Sequence, residues 1–135
     1  MAGTISPRGR VVVDYIESRV LRGNRPGDPT LREVPVYLPP GYDDSRTRRY
    51  PVVVVLTGFT GRGRMLPNRS NFDEAIDQRM DRLIATGRVR PMILVMPDCY
   101  TRYGGSQYLN SSATGRYEDH VIDEIVPWTD ARYRT

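Results

Sequence analysis

Runs of valine, isoleucine and tyrosine, separated by turn-forming residues, predict two strands in the first part of the chain. Residues 10–20 are rich in β-branched and aromatic side chains, which favours a strand. Residues 32–38 alternate polar and apolar positions, which predicts a half-buried strand antiparallel to the first. Because proline cannot donate to a sheet ladder, Pro35 indicates an edge or irregular position for this second strand.

Two continuous apolar runs, residues 52–56 and 92–96, predict strands of a different kind. Neither run alternates with polar residues, which is typical of parallel strands covered on both faces. Between them, residues 72–86 carry apolar side chains at helical spacing, with Asn71 placed to cap the helix and Gly87 to end it. We therefore expect a β-α-β unit with a right-handed crossover.

The remaining residues predict a long loop followed by a second helix. Residues 99–115 have no clear period and would form a loop at the carboxyl end of the second parallel strand. Residues 117–130 have helical spacing, and Pro127 is expected to kink this helix or start a new turn. Its inner side is expected to carry Val121, Ile122, Ile125 and Trp128. The predicted fold class is α/β, with two antiparallel N-terminal strands, a β-α-β unit and a further helix.

Size and composition restrict the class of the protein and its partners. The 135 residues, 39% hydrophobic and 27% charged, predict one globular domain over residues 1–135. No apolar run approaches the roughly 20 residues of a membrane span, and the first residues lack a signal-peptide core. We therefore expect a cytoplasmic location and no membrane partner. The net charge is +4, but the basic residues, all arginine, are scattered, so we expect no nucleic-acid partner.

The glycine-rich residues 57–61, Thr-Gly-Phe-Thr-Gly, follow the first apolar run and are the leading candidate for chemistry. Acyl transfer builds negative charge on a carbonyl oxygen, and backbone N–H groups at the end of a strand stabilise such charge. One interpretation is that the N–H of Phe59, with that of Thr60 as a second donor, forms half of an oxyanion hole. The other is an ordinary loop between a strand and a helix, and the glycines alone do not favour either.

The long loop offers side chains for the wall of a substrate pocket, but no nucleophile. Aromatic and amide groups at a strand's carboxyl end suit such a wall. From the loop it would comprise Tyr103, Ser106, Tyr108 and Asn110, and from the preceding glycine-rich segment Gly58. Ser106 follows two glycines, yet position 108 is tyrosine, whereas the strained turn of a nucleophilic serine needs small residues on both sides. We therefore interpret Ser106 as a loop hydroxyl.

The only histidine, His120, lies beside Asp119 and one helical turn before Glu124. A histidine and a carboxylate at this spacing can ligate a metal, but a third ligand is not evident. Its position inside a predicted helix, without an ordered serine and acid, also argues against a general base. We expect an exposed helical ion pair instead, and neither a metal nor a cofactor.

Several motifs, in their order and spacing, carry a resemblance to a known family. They are VYLPPGY at residues 36–42, YPVVVVLTGFTG at 50–61, MILVMPD at 92–98, GSQYLN at 105–110, YEDHVIDEIVPW at 117–128 and DARY at 130–133. With them the chain resembles the putative esterase family of α/β hydrolases. That family includes S-formylglutathione hydrolases, feruloyl esterases, enterochelin-type esterases and mycolyltransferases.

The resemblance implies the N-terminal half of an α/β-hydrolase fold, ending before the strand that bears the nucleophile. In the family, the residue after the first glycine of the strand-loop motif donates an oxyanion N–H, and this residue corresponds to Phe59. Most members have histidine before that glycine, where this chain has Thr57. The family's serine, acid and histidine all follow its second helix, so none of them is expected here, and the chain alone is expected to be inactive.

The resemblance thus implies part of a serine carboxylic-ester hydrolase or acyltransferase, acting through an acyl-enzyme on a small ester or thioester. The alternative is a non-catalytic binding or interaction module built on a truncated hydrolase scaffold. In both cases residues 52–56 would form an open apolar sheet edge, which favours self-association or pairing with a completing chain.

Overall fold

A four-stranded mixed sheet is the central element of the structure. The structure is a computed structural model, and it describes residues 5–135. In chain order its strands are β1 (Arg10–Glu17), β2 (Leu31–Leu38), β3 (Val52–Val54) and β4 (Ile93–Val95). Across the sheet the order is β1-β2-β4-β3. The antiparallel pairing of β1 with β2 and the parallel pairing of β3 with β4 are both confirmed.

Helices and short ribbons fill the connections between and after these strands. The helices are α1 (Ile76–Ala85), α2 (Tyr117–Asp119) and α3 (Val126–Arg132), and a π-helical segment (His120–Ile125) joins the last two. Single 3₁₀ turns are present at Tyr42–Asp44 and Gly63–Met65. The predicted long loop contains two antiparallel ribbons, β5 (Tyr100–Thr101) with β6 (Gly104–Gly105), and β7 (Asn110–Ser111) with β8 (Gly115–Arg116).

Hydrophobic side chains cover both faces of the sheet, as an α/β fold requires. Alternate residues of a strand point to opposite faces. On one face, Val36 belongs to a core cluster with Ile125 of the last helix. On the other face, Tyr37 clusters with Met80 of α1. The sheet is therefore the middle layer between α1 and the C-terminal helix.

β4 is the buried strand of the parallel pair, whereas β3 lies at the edge of the sheet. All residues of β4 are buried, and Ile93 and Val95 are fully covered. In β3, Val53 is 42% exposed and the flanking valines are half-buried. Within residues 5–135, β4 has a neighbouring strand on each side and β3 has only one. The expectation of burial on both faces therefore holds for β4 alone.

Pro35 lies in an interior strand, so the prediction of an edge position is wrong. β2 pairs with β1 on one side and with β4 on the other. The Pro35 carbonyl accepts a hydrogen bond from the Met96 N–H over 2.9 Å. In an antiparallel ladder, the nitrogen and oxygen of one residue point to the same neighbour. The proline nitrogen therefore points towards β4, just beyond the last paired residues, Val36 and Val95, and only the Pro35 carbonyl takes part in hydrogen bonding there.

Helix α1 begins later than the sequence pattern predicts. It starts at Ile76, and the Gln78 side chain accepts a hydrogen bond of 3.0 Å from the N–H of the residue that precedes the helix. Asn71 is therefore not the cap, and Phe72 is 96% exposed instead of lying on the inner face. The predicted stop at Gly87 is confirmed, because this glycine has a φ of +69° directly after the helix.

The last helix contains a π-helical segment that the pattern does not predict. The Val126 N–H donates to the Val121 carbonyl, and Pro127 lies at the start of the helical turns that follow. Val121 and Ile125 are buried, but Ile122 is 61% exposed, so its predicted inward orientation is wrong. Val121 and Ile125 together define the core-facing side of this segment, and Ile122 lies outside it.

We expect Gly63→Ala to destabilise the fold, because a Cβ at this position would lie 1.9 Å from the Met96 carbonyl oxygen. The clash is with backbone that is itself hydrogen-bonded to Pro35, so it cannot relax cheaply. The free energy of unfolding, measured by urea titration, should fall by about 2 kcal/mol or more. Gly58→Ala is the matched control, since a Cβ there meets nothing within 4 Å. Equal losses in both variants would contradict this packing.

Candidate functional site

The carboxyl ends of β3 and β4 lie side by side because the two strands are parallel. The pairing continues just beyond β3, where the Val55 N–H donates to the Val95 carbonyl over 2.8 Å. In open α/β sheets, ligands bind at this edge, among the loops that follow the strands. Two segments of this chain meet there: residues 57–61, after β3, and residues 104–108, after β4.

Residues 57–61 form a tight turn with two free backbone donors. The Gly61 N–H donates to the Gly58 carbonyl over 3.0 Å, which makes Phe59 and Thr60 the central residues of the turn. Within residues 5–135, no group accepts a hydrogen bond from the N–H of Phe59 or of Thr60. Both residues are exposed. Their N–H groups are therefore available to a ligand oxygen at this edge of the sheet.

Phe59 fixes the turn to the second loop through its backbone and its ring. The Gly105 N–H donates to the Phe59 carbonyl over 2.6 Å. The ring covers Gly104, where an added Cβ would lie 2.5 Å from its Cζ atom. Gly104 also has a φ of +111°, which residues with a side chain rarely adopt. Glycine at position 104 is thus required by both the ring and the backbone.

Tyr108 makes the second connection between the two loops. Its hydroxyl accepts a hydrogen bond from the Thr57 N–H over 2.7 Å and lies 3.0 Å from the Thr57 Oγ1. Tyr108 and Gln107 have φ values of +57° and +55°, an uncommon conformation for residues other than glycine. Such strain costs on the order of 1 kcal/mol per residue and persists only where surrounding contacts enforce it. The Tyr108 hydroxyl therefore holds Thr57 in place at the start of the turn after β3.

The structure places the other predicted pocket residues in different environments. Tyr103 is 66% exposed and lies at the tip of the β5–β6 ribbon. Ser106 is buried, and its Oγ accepts a hydrogen bond from the Tyr108 N–H over 3.2 Å. The Asn110 amide is bonded to Asp119 at the start of the last helix, over 2.9 and 3.2 Å. Ser106 thus stabilises its own loop, and Asn110 connects that loop to the helix.

His120 belongs to a buried polar cluster and not to the exposed ion pair that the sequence predicts. Its side chain is fully buried, and its Nδ1 lies 2.7 Å from the Glu124 Oε2. The same carboxylate accepts hydrogen bonds from the Ser18 hydroxyl, over 2.5 Å, and from the Arg19 and Val20 N–H groups. The carboxylate bonds both the serine and the histidine and so ties the end of β1 to the last helix. This order differs from that of a catalytic triad, in which the histidine lies between the serine and the acid.

The pKa values of His120 and Glu124 are both lowered, although burial and hydrogen bonding oppose each other on each side chain. Desolvation lowers the pKa of His120 below its usual 6.5, and the hydrogen bond to Glu124 offsets this only in part. Desolvation would raise the pKa of Glu124, but the hydrogen bonds from His120, Ser18 and the two backbone N–H groups outweigh it and lower the value. The nearby charges of Arg32 and Asp98 act on His120 in opposite directions. The histidine is therefore neutral at pH 7 and the carboxylate is ionised.

Neither a metal-ligating cluster nor a membrane-spanning helix is present in residues 5–135. In this range, no three His, Cys, Asp or Glu side chains are grouped in a way that could hold a metal ion. The helices of the same range are all too short or too polar to cross a bilayer.

The sequence profile of the family described as “Putative esterase” matches residues 29–135. Because this match covers most of the chain, the protein belongs to the putative esterase family. The matched range contains both β3 and β4 and the loops that follow them.

Several solved structures share the fold of this chain. A ferulic acid esterase aligns with a TM-score of 0.72 at 24% identity, covering 96% of this chain and 45% of its own. The feruloyl esterase module from Clostridium thermocellum, complexed with sinapinate, aligns with a TM-score of 0.69 at 20% identity, covering 95% and 38%. A ferulic acid esterase from Anaeromyces mucronatus, in complex with ferulic acid, gives 0.60 at 24%, covering 99% and 46%.

The chain therefore has the fold of part of an α/β hydrolase. It spans less than half of the length of each of these solved structures. Together with the family match, this identifies it as a partial esterase-like domain.

We expect Tyr108→Phe to loosen the exit from β3, because it leaves the Thr57 N–H without its acceptor. The free energy of unfolding should fall by about 1–2 kcal/mol, and the Thr57 amide should exchange with solvent faster, as measured by NMR hydrogen exchange. Tyr103→Phe is the matched control, since the Tyr103 side chain is largely exposed. If both variants exchange like the wild type, the phenol does not hold the loop.

We expect the protein to lose stability as the pH falls from 7.5 to 5.5. The folded state lowers the pKa of His120, so the unfolded chain takes up more protons through this range, and unfolding is favoured. In His120→Gln, an amide replaces the ring as donor to Glu124, and most of this pH dependence should disappear from the melting temperature. His120 is the only histidine, so no other side chain ordinarily titrates in this window. An unchanged slope in the variant would contradict this explanation.

Proposed function

We propose that this chain is the N-terminal part of a serine carboxylic-ester hydrolase or acyltransferase and contributes half of its oxyanion hole. The observation that carries the proposal is the turn after β3, in which the N–H groups of Phe59 and Thr60 have no acceptor within residues 5–135. Donors of this kind stabilise the oxyanion that forms when a nucleophile attacks an ester carbonyl. Each such donor is worth roughly 3–4 kcal/mol in the transition state.

The anchoring of the turn supports this role, because an oxyanion hole works only if its donors are already in position. The Phe59 carbonyl is held by Gly105, and the Thr57 N–H by Tyr108. These contacts lie on either side of the Phe59 N–H along the chain. A ligand oxygen would therefore meet a donor that needs little reorganisation.

The substrate would be a small ester or thioester. We assign the pocket wall next to the turn to Gly58 and the exposed Tyr103, with Tyr108 and the buried Ser106 behind them and Asn110 at the far end of the loop. The reaction would pass through an acyl-enzyme formed on a serine, with a histidine as base and an acid to orient it. In our proposal these three groups lie outside residues 5–135.

The free edge of β3 is where we propose that a completing segment pairs. Val53 and Leu56 are 42% and 49% exposed there, which is unfavourable for an edge that stays open. The segment would be a strand that follows in a longer form of the chain, or one from a partner. The same edge supports the alternative function, a non-catalytic module that binds through this surface or self-associates.

The isolated chain should not hydrolyse p-nitrophenyl esters above background, because we place the nucleophile elsewhere. Ser106→Ala should leave that background unchanged, since the Ser106 hydroxyl bonds its own loop. Turnover by the wild-type chain that disappears in Ser106→Ala would make this serine the nucleophile and overturn the assignment.

A test of the oxyanion role of Phe59 requires a complete active site. A chimera in which residues 29–135 replace the matching part of a feruloyl esterase supplies it. Phe59→Pro removes the N–H, and proline is well tolerated at the second position of such a turn. We expect kcat to fall about 10²–10³-fold with little change in KM. Phe59→Ala is the control, because it removes the ring and keeps the donor. Equal kcat values in the two variants would contradict the oxyanion role.

A further inference from the structure

A cleft of about 640 Å³ opens at the same edge of the sheet, next to the turn. Arg62, which lines it, directly follows Gly61, so the cleft begins within roughly 11 Å of Phe59 along the chain. Tyr15 of β1 and Leu31 of β2 contribute further lining. Small-molecule sites usually enclose roughly 300–1,000 Å³, so a ligand of one or two rings fits this volume.

The lining of this cleft is basic overall. It has a net charge of +1 and comprises Arg32, Arg62, Arg64 and Arg102 with Asp28, Glu33 and Asp98. Arg64 pairs with Glu33 over 2.8 Å, and Arg32 lies 3.7 Å from Asp98. Arg62 and Arg102 make no ion pair with any carboxylate of residues 5–135. Both are exposed, so their guanidinium groups can reach a ligand.

Contacts within the protein already orient these two arginines. The Arg62 guanidinium lies over the Tyr100 ring, 4.2 Å from its centroid, which leaves its N–H edge free to donate. The Arg102 Nη1 donates to the Pro26 carbonyl over 3.2 Å, and its backbone N–H donates to the Asp28 Oδ1 over 3.0 Å. Both side chains would therefore lose little conformational entropy on binding an anion.

Arg32 adds a buried positive charge to the lining, partly offset by Asp98 at 3.7 Å. It is only 4% exposed, and its two terminal nitrogens donate to the Tyr100 carbonyl and the Tyr117 hydroxyl over 2.8 and 2.6 Å. Its Nε is buried and has no partner within residues 5–135. A buried guanidinium in the lining of a cleft favours anions there, because solvent screens its charge only weakly.

We propose that this cleft binds a carboxylate carried on a six-membered ring, either an aromatic acid or a sugar acid. Paired N–H groups of a guanidinium match the two oxygens of a carboxylate. Tyr15, Tyr100 and Leu31 supply apolar surface for the ring. This site goes beyond the esterase proposal and does not depend on it, because binding requires neither the Phe59 donor nor a nucleophile.

The test is an NMR titration of the purified chain at low ionic strength with 4-hydroxybenzoate and with glucuronate. We expect saturable shifts at the Arg62, Tyr100 and Arg102 amides, and much weaker binding of the uncharged counterparts methyl 4-hydroxybenzoate and glucose. The double variant Arg62→Gln/Arg102→Gln should weaken binding at least about tenfold. Arg88→Gln/Arg90→Gln is the control, because it removes the same charge outside the cleft.

The titration has one set of results that supports the proposed anion site and another that overturns it. Saturable binding of either acid, lost in the cleft variant and kept in the control, supports the proposal, and the preferred acid identifies the ring. Equal binding of acids and uncharged counterparts, equal binding to both double variants, or tighter binding of inorganic phosphate would overturn it. If the cleft variant does not fold, the acid-to-neutral ratio and its decrease with added salt still decide the question in the wild type. None of these readouts involves ester turnover.

Discussion

The parallel pairing of β3 with β4 is the constraint on which the candidate site depends. It brings the ends of two strands, distant in sequence, to one edge of the sheet, and their loops then meet. The Gly105 N–H and the Tyr108 hydroxyl join these loops at the Phe59 carbonyl and the Thr57 N–H. The turn that carries the proposed oxyanion donors, and the cleft that begins beside it, have their positions only because this pairing holds.

Much of the fold could be predicted from hydrophobic pattern, since the pattern reports which faces are covered. The predicted burial of β4 is correct because both faces of this strand are covered. An edge strand such as β3 can have the same composition and stay partly exposed. The first residue of α1 could not be predicted from the pattern, because apolar Phe72 fits the helical period and is nevertheless exposed to solvent. Pro35 suggests an edge strand for another reason. Its missing donor affects only the side that faces β4, and its carbonyl still accepts a hydrogen bond from the Met96 N–H there.

The candidate site was predictable only where a single segment carries the signal. The glycines of residues 57–61 mark a turn after a strand, and that is local information. The Tyr108–Thr57 bond joins residues far apart in sequence, and no period or motif indicates it. The burial of His120 was also missed, because it depends on the end of β1 packing against the last helix. The arginines of the cleft looked scattered in sequence, and the fold gathers four of them.

The π-helical segment at His120–Ile125 gives the C-terminal helix an uneven tolerance of changes in length. A wide turn contains one residue more than the regular spacing requires, so the segment resembles an insertion accommodated without breaking the helix. Removing one residue from this wide turn would restore regular α-helical spacing and leave the downstream residues close to their present orientation. Removing one residue from the start of α3 would instead rotate everything beyond it by about 100° and shift it by about 1.5 Å. Buried Thr129 and half-buried Trp128 would then leave the surface of the sheet against which the helix packs. Single-residue length changes among relatives should therefore be tolerated better in the π-helical segment than in α3.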